Sequence, residues 1–527
     1  MPDQFTERLE MFSNGEGEQQ EALLALQRGI EKECLRIDPE GKLAQTPHPE
    51  GLGSPLTHPN ITTDFSESLL ELITPVSTSI EQTLDTLDQV HRAVYPQLAG
   101  EELWPASMPC VLGGGEKIPV AKYGTSNIAQ MKTAYRRGLG HRYGRPMQTI
   151  AGIHYNFSLP ESMWALLQQQ DHDKRPVKDY KTDAYFSLIR NFRRTSWLLI
   201  YLYGASPAVC ESFLKGRQHN LERFDRGSFY LPHGTALRMG GLGYQSSAQE
   251  SLNICYNSID TYVDTLRCAI TNTHPDYQQL GVKKNGEYQQ LSASLLQIEN
   301  EFYSPIRPKR VTQSSEIPIG ALASRGVEYI EVRCIDVNPY LPLGIDADQI
   351  RFLDCFLLYC LFKRSPLCDD SDRQLINHNQ KQIVNCGRAP DLMLATPQGE
   401  RSMQQWGAEL LDGIDKVATL LDNAHGGGDY QRVCAAQRDK LLDPSLTPSA
   451  QILADMQEQD TPFFGFAMNL AQQHGQHFRD QPLDPSQQAH FAQLKKNSVE
   501  QQRLAEAGDE QTFDEYLASY YRQYSTL

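Results

Sequence analysis

Four short segments of this chain alternate polar and apolar residues with the two-residue period of a β-strand, and each carries carboxylates or a histidine on its polar side. In Gly326 to Pro339, Tyr329, Glu331 and Arg333 share one face and Ile330, Val332 and Cys334 the other. In Gly29 to Arg36, Glu31 and Glu33 project together, roughly 6.6 Å apart along a strand. In Gly152 to Leu159 the polar row is His154, Asn156 and Ser158, backed by Ile153, Tyr155 and Phe157. In Gln297 to Tyr303 it is Gln297, Glu299, Glu301 and Tyr303. A sheet lined in this way predicts a chamber for cations and phosphates.

Such a chamber has an electrostatic cost. Two carboxylates ~4 Å apart repel by roughly 4 kcal/mol at an effective dielectric of ~20. A converging cluster is therefore tolerated where cations fill it or protons are taken up. Glu71, with Asp64 just upstream, adds two more carboxylates in Thr62 to Pro75. Hard oxygen ligands of this kind suit Mg²⁺ or Mn²⁺ bridging to substrate phosphates, and Mn²⁺ accepts an imidazole such as His154 more readily. The competing reading, that each row faces solvent as antiparallel sheets allow, weakens when four rows all carry acids or a histidine.

Other chemistries are excluded. No Gly-x-x-x-x-Gly-Lys-Ser/Thr loop, Gly-x-Ser-x-Gly elbow, His-Glu-x-x-His helix or dinucleotide glycine fingerprint is present. Any ATP must therefore be held by metals and a sheet. A net charge of −16 argues against a nucleic-acid surface. Eleven scattered cysteines without a Cys-x-x-Cys pair suggest reduced thiols. The apolar runs Trp197 to Ala205 and Cys355 to Phe362 fall short of the ~20 residues that span a bilayer, and the first residues do not resemble a signal peptide. These features predict a cytoplasmic enzyme without membrane or nucleic-acid partners.

Periodicity predicts a helix over residues 8–28, a strand at 69–73, a helix over 79–98 and helices through 161–204. A Gly-rich loop follows at 234–243, then a helix over 245–271 and strands over 282–303 and 327–337. From about 345 onward the pattern is helical, ending in amphipathic surface helices over 484–527. Without regular β-α-β alternation, the expectation is an α+β fold: a curved, mainly antiparallel sheet with helices on its outer face. Residues 1–345 would form the catalytic core, with 346–527 packed on it and not independent. Arg238 reads either as a surface arginine beside a turn or, in its glycine-flanked setting, as one whose loop closes over a ligand carboxylate with a bidentate fork. Tyr135 and Arg136 read as a solvated helix face. Pro305 to Arg310 reads as a short basic turn, either solvated or touching a polyphosphate.

At several of these residues the chain resembles the proteobacterial glutamate–cysteine ligase family. The segments are Gln27-Arg-Gly-Ile-Glu-Lys-Glu-Cys-Leu-Arg36, Ile61-Thr-Thr-Asp-Phe65 with Leu70-Glu71, Trp104-Pro-Ala-Ser-Met-Pro109, Tyr123-Gly-Thr-Ser-Asn127, Gly152-Ile-His-Tyr-Asn-Phe-Ser158, Tyr203-Gly-Ala-Ser-Pro207, Leu296-Gln-Ile-Glu-Asn-Glu301, Pro305-Ile-Arg-Pro-Lys-Arg310 and Val327-Glu-Tyr-Ile-Glu-Val-Arg333. They run in order from about residue 20 to 345, and the resemblance thins beyond about 365. It implies a funnel-like sheet related to that of glutamine synthetase. It also implies metal ligands at Glu31, Glu33, Asp64, Glu71, His154 and Glu331, and a grip on glutamate at Arg238. Arg333 would stabilise the transferring phosphoryl group, and Phe65, Tyr135, Arg136, Tyr244 and Tyr303 would receive cysteine. The fused ATP-grasp domain of bifunctional glutathione-synthesising enzymes is not expected.

The implied activity joins the γ-carboxylate of L-glutamate to L-cysteine with ATP and Mg²⁺ (or Mn²⁺), giving γ-glutamylcysteine, ADP and phosphate through γ-glutamyl phosphate. This is the first step of glutathione synthesis. A monomer is the default oligomeric state. The alternatives are a related carboxylate–amine ligase with another amine acceptor, or a noncatalytic protein that binds metal or nucleotide.

Overall fold

The structure, a computed structural model, describes residues 3–15, 17–225, 227–243, 249 and 252–527. Its centre is an antiparallel sheet of seven strands: β1 (Gln27–Ile37), β2 (Ile61–Thr63), β3 (Leu69–Ile73), β4 (Glu102–Leu103), β5 (Ile153–Ser158), β6 (Ile306–Lys309) and β7 (Tyr329–Ile335). Their order is β6-β7-β5-β1-β3-β2, with β4 pairing to the end of β1, so the sheet is open. The expected α+β architecture is present.

The polar and apolar rows face opposite sides of this sheet. Behind it pack helices α1 (Ile80–Val94) and α3 (Ala347–Phe362); α2 (Asn127–Tyr143) carries residues of the front face. α1 forms because Ser79 caps it, accepting from the Gln82 N–H, while Ile80, Leu87, Val90 and Val94 bury one stripe. The rear face also holds polar groups, each with a partner. Arg28 of β1 meets Asp354 of α3 at 2.9 Å, and the Tyr155 hydroxyl of β5 donates to the same carboxylate at 2.6 Å. Lys32 of β1 reaches His91 of α1 at 2.9 Å and donates to the Pro342 carbonyl. Removing one member of such a buried set strands the others, so these contacts fix the helices on the sheet.

Four sequence expectations need correction. Residues 8–28 do not form one helix: helices Gln4–Ser13 and Glu18–Leu24 are separated at Asn14-Gly15, and β1 begins at Gln27. Of the helix expected over 245–271, Ile259–Thr271 is helical behind a Ser258/Thr261 capping box and 252–258 is not, while 245–248, 250 and 251 lie outside the described residues. Over 282–303 there is a small hairpin, Lys283–Lys284 with Glu287–Tyr288, turning at Asn285 and Gly286, both at positive φ. The Gln297 to Tyr303 row is then no strand but a 3₁₀ turn at Glu299–Glu301. Its acids bond inside the protein: Glu299 accepts from the Ile319 N–H and the Tyr524 hydroxyl, and Glu301 pairs with Arg142 at 2.9 Å. Residues 305–310 are not a loop, because Ile306–Lys309 is edge strand β6. Pro308 is tolerated there, where one side of the strand has no partner. The surface helices expected over 484–527 are present as α4 (Pro485–Ala507) and α5 (Phe513–Arg522), with Tyr520 of α5 and Tyr524 after it buried against the core.

Candidate active site

Strand register brings the front-face rows together. Glu33 lies directly opposite Glu71, Glu31 opposite His154, and Glu331 opposite both Asn156 and Arg307. His154 is the hub. Its Nδ1 is 3.2 Å from Glu31, 3.9 Å from Glu331 and 4.0 Å from Glu71, and its Nε2 is 3.6 Å from Glu33. Two groups, Glu31/His154/Glu331 and Glu33/Glu71/His154, place ligand atoms within 4.8 Å of one another. Asp64 lines the same chamber without joining either group. Like charges opposed on paired strands destabilise a sheet, so this arrangement is an expense that folding alone does not explain.

The carboxylates divide by environment. Burial, reinforced by Glu31, Asp64 and Glu33, pushes the Glu71 carboxyl well above the ordinary range. Burial and Asp64 raise Glu33, with His154 opposing. Burial also opposes ionisation of Glu331, but Lys309 and then Arg333 outweigh it and hold its carboxyl well below the usual range. Glu31 is likewise lowered against its burial, chiefly by its hydrogen bond to His154. Burial and neighbouring acids thus oppose ionisation at Glu33 and Glu71, while cations favour it at Glu331.

Those cations come from two neighbouring strands. Lys309 of β6 is 3.3 Å from Glu331, and Arg333 of β7 is 3.2 Å from Glu331 and 3.5 Å from His154 Nδ1. The β7–β5 register shifts between Val332 and Ile335, a bulge spanning Arg333. Arg333 keeps the face that strand alternation gives it beside Glu331. Arg238 is almost wholly buried on the chamber wall. It donates to the Arg333 carbonyl at 2.8 Å and lies 3.8 Å from Asp336. Gly152 makes room for it, because a Cβ there would meet the guanidinium at 1.9 Å.

A family model described as glutamate-cysteine ligase matches residues 11–383. The chain is 51% identical to the glutamate–cysteine ligase of Pseudomonas paraeruginosa over 93% of each chain, and 50% identical to that of Alcanivorax borkumensis over 95% of this chain and 96% of that one. The chain belongs to the glutamate–cysteine ligase family. The crystal structure of Francisella tularensis glutamate–cysteine ligase in complex with AMP is similar, at a TM-score of 0.90 and 34% identity, covering 95% of this chain and 98% of that one. A bifunctional glutathione synthetase from Pasteurella multocida shares the fold at a TM-score of 0.69 and 24% identity, covering 92% of this chain and 57% of that one.

Within this glutamate–cysteine ligase fold, the chamber of about 650 Å³ is also lined by Phe65, Tyr135, Arg136 and Tyr303. Phe65 is buried, and the Tyr303 hydroxyl accepts from Gln148 at 3.0 Å. The Arg136 guanidinium donates to the Asp64 carbonyl and lies 4.6 Å over the Tyr123 ring, so it braces the wall. Tyr135 and Arg136 therefore belong to the site rather than to a solvated face. Tyr244 lies outside the described residues. Sequence reasoning assigned no role to Gln148, Asn300 or Tyr520, which also line the chamber. Arg307 and Lys309 were reachable only as a basic stretch, because two prolines hide the strand period.

Proposed function

We propose that this chamber carries out ATP-dependent ligation of the γ-carboxylate of L-glutamate to the amine of L-cysteine, and that the residues named above divide the work. The convergence of Glu31, Glu33, Glu71 and Glu331 on His154, beside Lys309 and Arg333, carries the reading. The chain is a ligase of the glutamate–cysteine type, and γ-glutamylcysteine is its product. Curated relatives about 50% identical are named for this activity, and a structural relative was crystallised with AMP.

The donor set fits a hard divalent cation. Its ligands are carboxylate oxygens and one imidazole, and His154 Nε2 is buried without a hydrogen-bond partner among the described residues. Glu31 and Glu331 with His154, and Glu33 and Glu71 with His154, would hold Mg²⁺ or Mn²⁺; Asp64 stands beside them. Bound there, the metal supplies positive charge to the nucleotide phosphates. Arg333 and Lys309 address the γ-phosphoryl group as its charge spreads over the equatorial oxygens. Arg238 holds the glutamate carboxylate through its fork. The γ-carboxylate attacks the γ-phosphorus, giving γ-glutamyl phosphate and ADP, and the cysteine amine then displaces phosphate. Phe65, Tyr135, Arg136 and Tyr303 form the wall against which cysteine is received.

The same reading takes the chain as a cytoplasmic enzyme whose residues 346–527 work with 1–345 as one unit. Three features support it. One hydrophobic cluster runs from Phe5 to Tyr524, all eleven cysteines are free thiols, and no helix among the described residues is long and apolar enough to cross a membrane.

Isotope transfer tests the chemistry. With ¹⁸O in the glutamate γ-carboxylate, label is expected in released phosphate, with ADP as co-product and cysteine outperforming 2-aminobutyrate and glycine. AMP with pyrophosphate, or unlabelled phosphate, would overturn the acyl-phosphate route. Preference for another amine would reassign the acceptor.

A further inference from the structure

The turn after β2 has two sides. Asp64 and Phe65 line the chamber, while Glu67 lines a second cavity of about 940 Å³. Helix α2 divides in the same way, with Lys132, Tyr135 and Arg136 on the chamber and Arg137 on the second cavity. The outer wall is α4, tied to the core by Ser54 N–H to Ser498 Oγ at 3.1 Å and by the Ser54 and Thr57 hydroxyls to Gln502 and the Ser498 carbonyl.

This second cavity is basic on a chain whose net charge is −16. Lys122, Arg137, Arg145 and Lys495 line it, against two acids, Glu50 and Glu67. Glu67 is already satisfied: its two carboxylate oxygens accept from the backbone N–H groups of His48 at 2.6 Å and Lys122 at 2.7 Å. His48 also lines the cavity and is only 9% exposed; its ring approaches the Gly53 backbone, but neither nitrogen makes a hydrogen bond of normal geometry among the described residues. A buried polar group left in this way calls for a ligand or a water. Pro47, Pro55, Val120 and Val499 supply apolar wall between the charges.

We propose that this cavity is a second ligand site, separate from the catalytic chamber, which takes a small polyanion. Lys122 and Lys495 provide charge from opposite walls, and His48 provides a short-range hydrogen bond that a carboxylate or another oxyanion can accept.

The test uses the full chain saturated with Mg²⁺, glutamate and a non-hydrolysable ATP analogue, so that the chamber is occupied. Sulfate and tricarballylate are titrated separately at constant ionic strength. Heat of binding is read together with mass-spectrometric acetylation rates of Lys122 and Lys495. Saturable one-site binding that slows acetylation of both lysines supports the site, and whichever anion binds tighter identifies its class. Lys122→Gln with Lys495→Gln should weaken binding by about tenfold or more, since two charge-assisted contacts are lost, while turnover without anion is unchanged. His48→Gln gives an independent second variant with the same expected direction. No saturable binding beyond chloride, or binding indifferent to both sets of substitutions, would overturn the proposal. So would binding that disappears in Arg333→Ala, because the anion would then sit in the chamber.

Discussion

Glu33 on β1 and Glu71 on β3 are direct cross-strand partners, and both approach His154, Glu33 at Nε2 and Glu71 at Nδ1. Opposed like charges weaken a strand pair by a few tenths to ~1 kcal/mol. Glu331 differs, since Lys309 and Arg333 stand against it.

Glutamine substitutions should separate these two environments. Glu71→Gln and Glu331→Gln should each lower synthesis by about 10²-fold or more, with weakened apparent ATP affinity, because a metal ligand is lost. Thermal unfolding in a chelator should then split them. Glu71→Gln should melt at least as high as wild type, since it relieves a crowded carboxylate. Glu331→Gln should melt lower, since it strands two cations. Near-normal activity in either variant would refute the ligand assignment.

Metal binding should release protons. Burial and neighbouring acids raise the Glu71 and Glu33 carboxyls, so below their elevated pKa values they hold protons that a divalent cation must displace. Apparent Mg²⁺ affinity should therefore rise with pH and level off once these groups ionise. Calorimetry at pH 6 in two buffers of different ionisation enthalpy measures the release directly. Identical heats in both buffers would contradict it.

Arg238 should govern glutamate alone. Arg238→Lys keeps a charge but loses the fork, so the glutamate KM should rise about tenfold or more with little change for ATP. Gly152→Ala should act in the same direction without replacing a charged residue, because its Cβ would displace the Arg238 guanidinium. Parallel rises in both KM values would leave Arg238 as a purely structural brace.

Acid sensitivity should arise partly at the 58–61 turn. Burial lowers His58 to about 4, and its Nδ1 accepts from the N–H groups of Asn60 and Ile61. The unfolded chain takes up this proton near pH 6.5 and the folded chain only near 4. The His58 contribution is therefore complete above 6.5 and is lost as pH falls through that window. In His58→Asn, the fall in melting temperature between pH 7 and 5 should be shallower than in wild type. An unchanged slope would place the acid limb elsewhere.

The chamber was readable in the chain wherever a row obeyed the strand period without interruption. Glu31, Glu33, His154 and Glu331 fall on central strands whose reverse faces are apolar enough to reveal the alternation. Gln297 to Tyr303 shows the same period yet forms a 3₁₀ turn, because Glu299 and Glu301 find partners in Tyr524 and Arg142, far away in sequence. Local pattern cannot anticipate such contacts. Arg307 and Lys309 failed in the opposite direction, since prolines that normally break strands sit here on an edge. Arg333 was legible from the strand period, but the register shift beside it leaves no local signal at all. It follows from how β7 and β5 pair over their whole length.

The bond from Tyr524 to Glu299 joins residues 225 apart in the chain, and Tyr520 lines the chamber. During synthesis, the carboxylate strands therefore leave the ribosome long before the segment that completes the wall. The wall of the chamber is thus closed by a contact that can form only after Tyr524 has been made, so its order in synthesis is the reverse of its nearness to the sheet's first carboxylates.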